Sequence, residues 1–179
     1  MSLKHLLAVS RPRFWIYLLG PYIIGYIANL QTDRLIWLAI LWGLFFTFPA
    51  NLFLYGINDI CDWETDKLNP KKLEWYEALV TPNEQKKLRY RILLTSIPFV
   101  VILCIYLLWW VKLANWFQDR SFTYISLSNI WGNGNIAILS FFFAFLFFSG
   151  QYSAKPIRAK ARPILDSFFS AWHYIATAV

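Results

Sequence analysis

Residues 35–58 read LIWLAILWGLFFTFPANLFLYGIN, and residues 59–66 continue DICDWETD. The first string carries no charge over its whole length, and as a helix it is long enough to cross the roughly 30 Å hydrocarbon core of a bilayer. The second gathers Asp59, Asp62, Glu64 and Asp66 in the eight residues that follow. An apolar span ending abruptly in a polar cluster is the unit from which the rest of the sequence is read.

Uncharged stretches at 14–32, 92–111 and 130–150 repeat the span. A fifth starts near Ser167 and reaches residue 179 after 13 residues, too short to cross. In hydrocarbon every backbone polar group must be paired internally, so a span that stops partway predicts that this sequence is the N-terminal part of a longer one. The composition agrees with a membrane location. The chain is 58% hydrophobic, 20% aromatic and 15% charged, against roughly 25% charged for a soluble domain. The expected fold is all-α, a polytopic membrane helical bundle forming a single domain over residues 1–179. The opening MSLKHLLAVSRPRFW has too short an apolar run for a signal-peptide core. Cys61 and Cys104 lack disulfide or zinc spacing and read as small apolar fillers.

Basic residues orient the spans. One side holds Lys4, Arg11 and Arg13, then Lys67, Lys71, Lys72, Lys86, Lys87, Arg89 and Arg91, then Lys155, Arg158, Lys160 and Arg162, leaving Arg34, Lys112 and Arg120 for the other. The bias of 14 to 3 out of 17 places the N-terminus and the acidic string on the cytoplasmic side. Topology and attraction to anionic lipid account for the net charge of +7. No nucleic-acid-binding, Walker or GxGxxG pattern is present, so no nucleic-acid partner is expected.

On a helix, Asn58, Asp59, Asp62 and Asp66 fall within an arc of about 100°, and Glu64 points the other way. Carboxylates stacked on one stripe repel one another, and a hard divalent cation neutralises them. Mg²⁺ binds through one or two carboxylates together with substrate phosphates, so a Mg²⁺–diphosphate complex is the expected occupant. A second polar constellation, Tyr152-Ser-Ala-Lys155-Pro-Ile-Arg158-Ala-Lys160-Ala-Arg162-Pro163, lies on the same side and reads as a loop because of its prolines. Its cations could clamp a diphosphate, although topology alone also demands a basic loop there. Lys71 and Lys72 carry the same ambiguity, and Asp166 reads as a first-turn residue of the fifth helix. Of the 36 aromatic rings, those lining a cavity would suit carbocation chemistry.

With these residues in view, the chain resembles the UbiA-type superfamily of intramembrane prenyltransferases. NDICDWETD is similar to that family's first aspartate-rich signature, NDxxDxxxD, and YSAKPIRAK to its basic loop after the fourth helix. The continuation through Lys72 and the later ARPILDS resemble the carotenoid-elongating branch most. The resemblance implies nine transmembrane helices, of which this chain would supply about five. It further implies Mg²⁺-dependent transfer of a prenyl group from an allylic diphosphate to an apolar acceptor. Asn58, Asp62 and Asp66 would hold the metal with Asp59 supporting it, and Tyr152, Lys155, Arg158 and Lys160 would meet the diphosphate. Two features depart from the pattern: the second aspartate-rich signature is absent, and Pro156 stands where the commoner loop has lysine.

Rival readings are a CDP-alcohol phosphotransferase, whose signature is missing, and a cation transporter, which would place acids in mid-membrane rather than at a span's end. A third is a prenyl-lipid-binding fragment without turnover. Carotenoid, quinone, porphyrin and glycerol-lipid acceptors all remain open.

Overall fold

The computed structural model of the protein describes residues 1–28, 36–73, 78–118 and 135–178, which are helical with no strand among them. The expected span portions at 29–32 and 130–134, the charges of Arg34 and Arg120, the stretch at 119–134 and Val179 lie outside the described residues. Among the described residues seven α-helices run in order: α1 Leu3–Ser10, α2 Ile16–Ala28, α3 Ile36–Cys61, α4 Trp63–Asp66, α5 Pro82–Gln118, α6 Asn135–Ser153 and α7 Pro163–Ile175. Short 3₁₀ turns at Pro12–Phe14, Pro70–Leu73 and Ala159–Ala161 connect them.

Each boundary has a local cause. Ser2 caps α1, its side chain accepting from the His5 amide at 3.2 Å. Pro82 opens α5 at the position that needs no amide hydrogen, and Glu84 accepts from the Thr81 amide and hydroxyl at 3.2 and 2.8 Å, a reach-back of the capping-box kind. α7 likewise starts on a proline with Asp166 in its first turn. Pro49 removes one rung from the ladder of α3, and in the same stretch the buried Asn51 amide donates to the carbonyls of Phe46 and Thr47 at 2.9 and 2.6 Å.

α3 is the central element, in contact with α1, α2, α5 and α6, while α7 packs on α6 and α2. One core joins Leu18, Phe45, Phe46, Leu103, Phe142 and Phe145, with rings meeting edge-on or tilted. A second core seats Leu6 and Val9 of α1 against Leu52, Leu88 and Ile92. The N-terminal segment is therefore an ordered helix, although its short apolar run gave the sequence reading no cause to assign one.

Among the described residues two helices, Ala39–Cys61 and Pro82–Tyr106, are long and apolar enough to cross a membrane, and much of their apolar surface faces outward. The fourth stretch is the shorter apolar helix Leu139–Ser153 within α6. The third begins ten residues before its expected start, because the cap at Thr81 extends helix through the charged run to Ile92. Cys61 is exposed at the end of α3, not a packed filler, and Cys104 is half-buried.

Two glycines mark close approaches. A Cβ on Gly25 would meet the Ala178 carbonyl oxygen at 1.9 Å, whereas one on Gly56 would meet only the Ile92 side-chain terminus at 2.8 Å. Gly25→Ala should therefore lower stability by about 1–3 kcal/mol, since backbone cannot yield as a methyl can. Gly56→Ala should change it less. Thermal unfolding in detergent checks the order, and an equal shift from both would contradict the packing described.

Candidate functional site

The acidic string does not continue α3 as one helix. The helix ends at Cys61, and Asp62 leaves helical geometry with φ −104° and ψ 11° before α4 resumes. Its amide still bonds the Asn58 carbonyl at 2.9 Å, and the Asp66 amide bonds that of Asp62 at 2.8 Å, so the i, i+4 stacking survives the break. The expectation of a continuous stripe is corrected to the end of the long α3 and the one-turn α4, separated by a break at Asp62. The break gives the acids different neighbours.

Asp62 and Asn58 face the loop after α6. Lys160 Nζ donates to Asn58 Oδ1 at 2.9 Å and to Asp62 Oδ2, and Arg158 stands 3.6 Å from Asp62. Ser153, the last residue of α6, donates to the same Asn58 oxygen at 2.7 Å. Within the loop Arg158 is left-handed at φ 44°, and Ala159, fully buried, anchors the 3₁₀ turn that presents Lys160.

Asp59 faces away, into the fold. Its side chain is 1% exposed, and Oδ1 accepts from Arg11 at 2.9 Å and from Lys72 at 2.5 Å. Lys72 also reaches Asp66 at 3.1 Å. Arg11 takes a left-handed backbone at φ 50°, which most side chains avoid, and its guanidinium lies 4.7 Å over the Tyr55 ring. The expected helper of a metal is thus the anchor of a buried ion network joining α1, α3 and the Pro70–Leu73 turn. Glu64 stands outside both groups, exposed and paired with Lys67.

Of the basic-loop residues, Arg158 and Lys160 reach the acids. Lys155 is exposed and in no ion pair among the described residues. Tyr152 points to α7, its hydroxyl beside Asp166 and Ser170 and its ring edge-on to His173 at 5.3 Å. Lys72 is placed; the Lys71 side chain lies outside the described residues. Arg11 and Ser153 were not singled out as site residues in the sequence. Arg11 had a signal, a basic pair just ahead of the first span on the side of the acidic string, whereas Ser153 had none.

Among the described residues no three of His, Cys, Asp and Glu gather around one point, because Lys72 and Lys160 stand among the acids. The donors at Asn58, Asp62 and Asp66 are all oxygens, on side chains that for the two acids are 14% exposed. Two carboxylates and an amide oxygen suit Mg²⁺, which completes its shell with water and phosphate.

No family model matches the chain, and no solved structure matches it. The chain is 30% identical over 180 residues to the lycopene elongase/hydratase of Corynebacterium glutamicum, covering 99% of this chain and 52% of that protein. It is 36% identical over 177 residues to the lycopene elongase/hydratase of Haloarcula japonica, covering 92% of this chain and 47% of the relative. A C(50) beta-cyclic carotenoids biosynthesis protein of Dietzia sp. is 28% identical over 95% of this chain and 33% of its own length. The protein is thus a strongly apolar chain, helical without strands among its described residues, with a partly buried acid–cation site. Over nearly all its length it is similar to proteins named for carotenoid biosynthesis, and it spans about half the length of the first two relatives.

Asp59 supplies a test independent of any reaction. Removing one partner of a buried ion pair costs about 3–5 kcal/mol, because the other charge is left without compensation. Lys72→Met should therefore destabilise the chain by that order, and Lys67→Met, at the exposed pair with Glu64, by less than about 1 kcal/mol. Thermal unfolding of the variants in detergent decides; equal effects would remove the distinction between sealed and exposed pairs.

Proposed function

We propose that this chain forms the diphosphate-binding part of a Mg²⁺-dependent intramembrane prenyltransferase of the UbiA type, acting on a carotenoid or similarly apolar acceptor. The observation that carries the reading is Lys160, which meets Asn58 and Asp62 across sequence separations of 102 and 98 residues. Two motifs that topology alone would leave apart converge on one partly buried point. The names of the relatives supply the carotenoid direction, and the acidic and basic strings supply the diphosphate.

In this reading the multi-pass bundle keeps its N-terminus and acidic motif on the cytoplasmic side, where the soluble diphosphate end of the substrate enters. Asn58, Asp62 and Asp66 would hold Mg²⁺, which when bound offsets the charge of the diphosphate and of its departure. Lys160 and Arg158 neutralise the same leaving group from the opposite side, Arg158 with planar donors suited to phosphate oxygens. The allylic C–O bond breaks with its electron pair on the diphosphate. The prenyl C1 then bonds to an electron-rich carbon of the acceptor, which afterwards releases a proton. Water must be kept from the cationic carbon, and the apolar helices exclude it. Rings on α6 and α7 are suited to face such a cation: Phe148 stacks on Trp172 at 5.0 Å, with Phe168 and Phe169 edge-on to Phe148.

The test is Mg²⁺-dependent binding of a non-hydrolysable geranylgeranyl or dimethylallyl diphosphate analogue to the chain in detergent. Asp62→Ala should weaken binding by about a hundredfold or more, and chelation of Mg²⁺ should do the same. Glu64→Gln should leave it unchanged. Metal-independent binding, or equal loss from Asp62→Ala and Glu64→Gln, would overturn the assignment. Binding without turnover in the presence of a carotenoid acceptor would favour a prenyl-lipid-binding protein instead.

A further inference from the structure

The outward face of α5 has an order that neither the acid–cation site nor the prenyl-transfer reading uses. At 100° per residue, Lys86, Lys87, Tyr90, Arg91, Leu93, Leu94, Ile97, Val101 and Ile105 share an arc of about 160°. All nine are exposed. Leu88, Ile92, Ser96 and Leu103, centred on the opposite side, are buried against the bundle. Within the exposed arc the residues are sorted along the helix: cations and a tyrosine occupy the first two turns, and large apolar side chains follow as far as Ile105 without a further charge. The sorting is what separates this face from an ordinary solvated one.

At the charged end the surface is concave. A cavity of about 350 Å³ is lined by Met1, Lys86, Lys87, Tyr90 and Arg91. None of Lys86, Lys87 and Arg91 enters an ion pair among the described residues. The acid of the same helical turn, Glu84, is directed to the Thr81 cap and leaves their charge standing. Three cations around a concavity of ligand size attract an anion, and a tyrosine at that level adds a hydroxyl donor on an apolar ring. The apolar strip begins within a turn of these cations, so the anion that fits both ends carries hydrocarbon.

We propose that this face binds an anionic phospholipid, with its phosphate headgroup between Lys86, Lys87 and Arg91 and its acyl chains along Leu93, Leu94, Ile97 and Val101. The charge complementarity at one end and the uncovered apolar strip at the other commit the site to a lipid rather than a soluble anion or a helix. A free phosphate would use only the cavity, and a partner helix would use only the strip. The site is separate from Asp62 and does not depend on the prenyl-transfer reading.

Native mass spectrometry of the chain in neutral detergent, titrated with phosphatidylglycerol or phosphatidylcholine, tests it. Phosphatidylglycerol should be retained in preference, and the preference should fall by about tenfold or more in the triple variant Lys86→Gln, Lys87→Gln, Arg91→Gln. Lys86→Arg with Lys87→Arg should keep it, and Lys67→Gln, a cation away from this face, should leave it intact. Circular dichroism and thermal unfolding confirm that the variants share the wild-type fold. Equal retention of the two lipids, an undiminished preference in the folded triple variant, or displacement of the lipid by millimolar inorganic phosphate would each overturn the proposal.

Discussion

A carboxylate sealed into the end of an apolar helix constrains everything around it. Asp59 has no access to water, and an isolated charge there would be untenable, so the fold must bring cations to it. They come from two directions in sequence, Arg11 ahead of the first span and Lys72 beyond the string. Meeting that demand turns α1 back onto α3 and forces Arg11 into a left-handed backbone. It also draws the Pro70–Leu73 turn up against the site, where Lys72 is shared with Asp66. The two hydrophobic cores are compatible with this arrangement, but apolar packing is not directional enough to select it.

The break at Asp62 divides the acids by role. Asp59 faces inward, where its partners are fixed, whereas Asp62 meets Lys160 and a guanidinium that is 44% exposed. A group that must exchange partners when an anion arrives has to be reachable and must not carry the fold on its bonds. Asp62 and Arg158 meet both conditions, and Asp59 meets neither. Asp59 and Asp62 of one motif thus differ in surroundings across a break of one residue in the helix.

Much of this arrangement was legible in the sequence, and the parts that were not have a common cause. Length and lack of charge identified the long helices, and the i, i+4 spacing put Asn58, Asp62 and Asp66 in register, because both are local properties of a helix. The direction of Asp59 was not legible, since it is set by Arg11, 48 residues earlier, and by a turn whose geometry has no periodic signature. The same holds for Tyr152, which the family resemblance implied would meet the diphosphate and which, in the last turn of α6, turns to Asp166 and Ser170 of α7. The helix at Leu3–Ser10 was missed because its apolar residues are few and find their partners on α3 and α5. Chain-local patterns specify elements, while choices among partners of opposite charge are settled only once the elements have packed.

Under the proposed function, the geometry of α6 bears on substrate shape. Ser153 at its end donates to Asn58, and Phe148, five residues earlier, stacks on Trp172. At 1.5 Å and 100° per residue the two lie about 7.5 Å apart along the axis and about 140° apart around it. A single rigid helix therefore fixes the interval between the polar clamp and the first aromatic surface. In the proposed reading an allylic diphosphate would need that interval short, because the cation would form at the carbon next to the leaving oxygen. Under that reading the same rigidity would leave changes in tail length to be accommodated farther along the rings, with the acid–cation site unaltered.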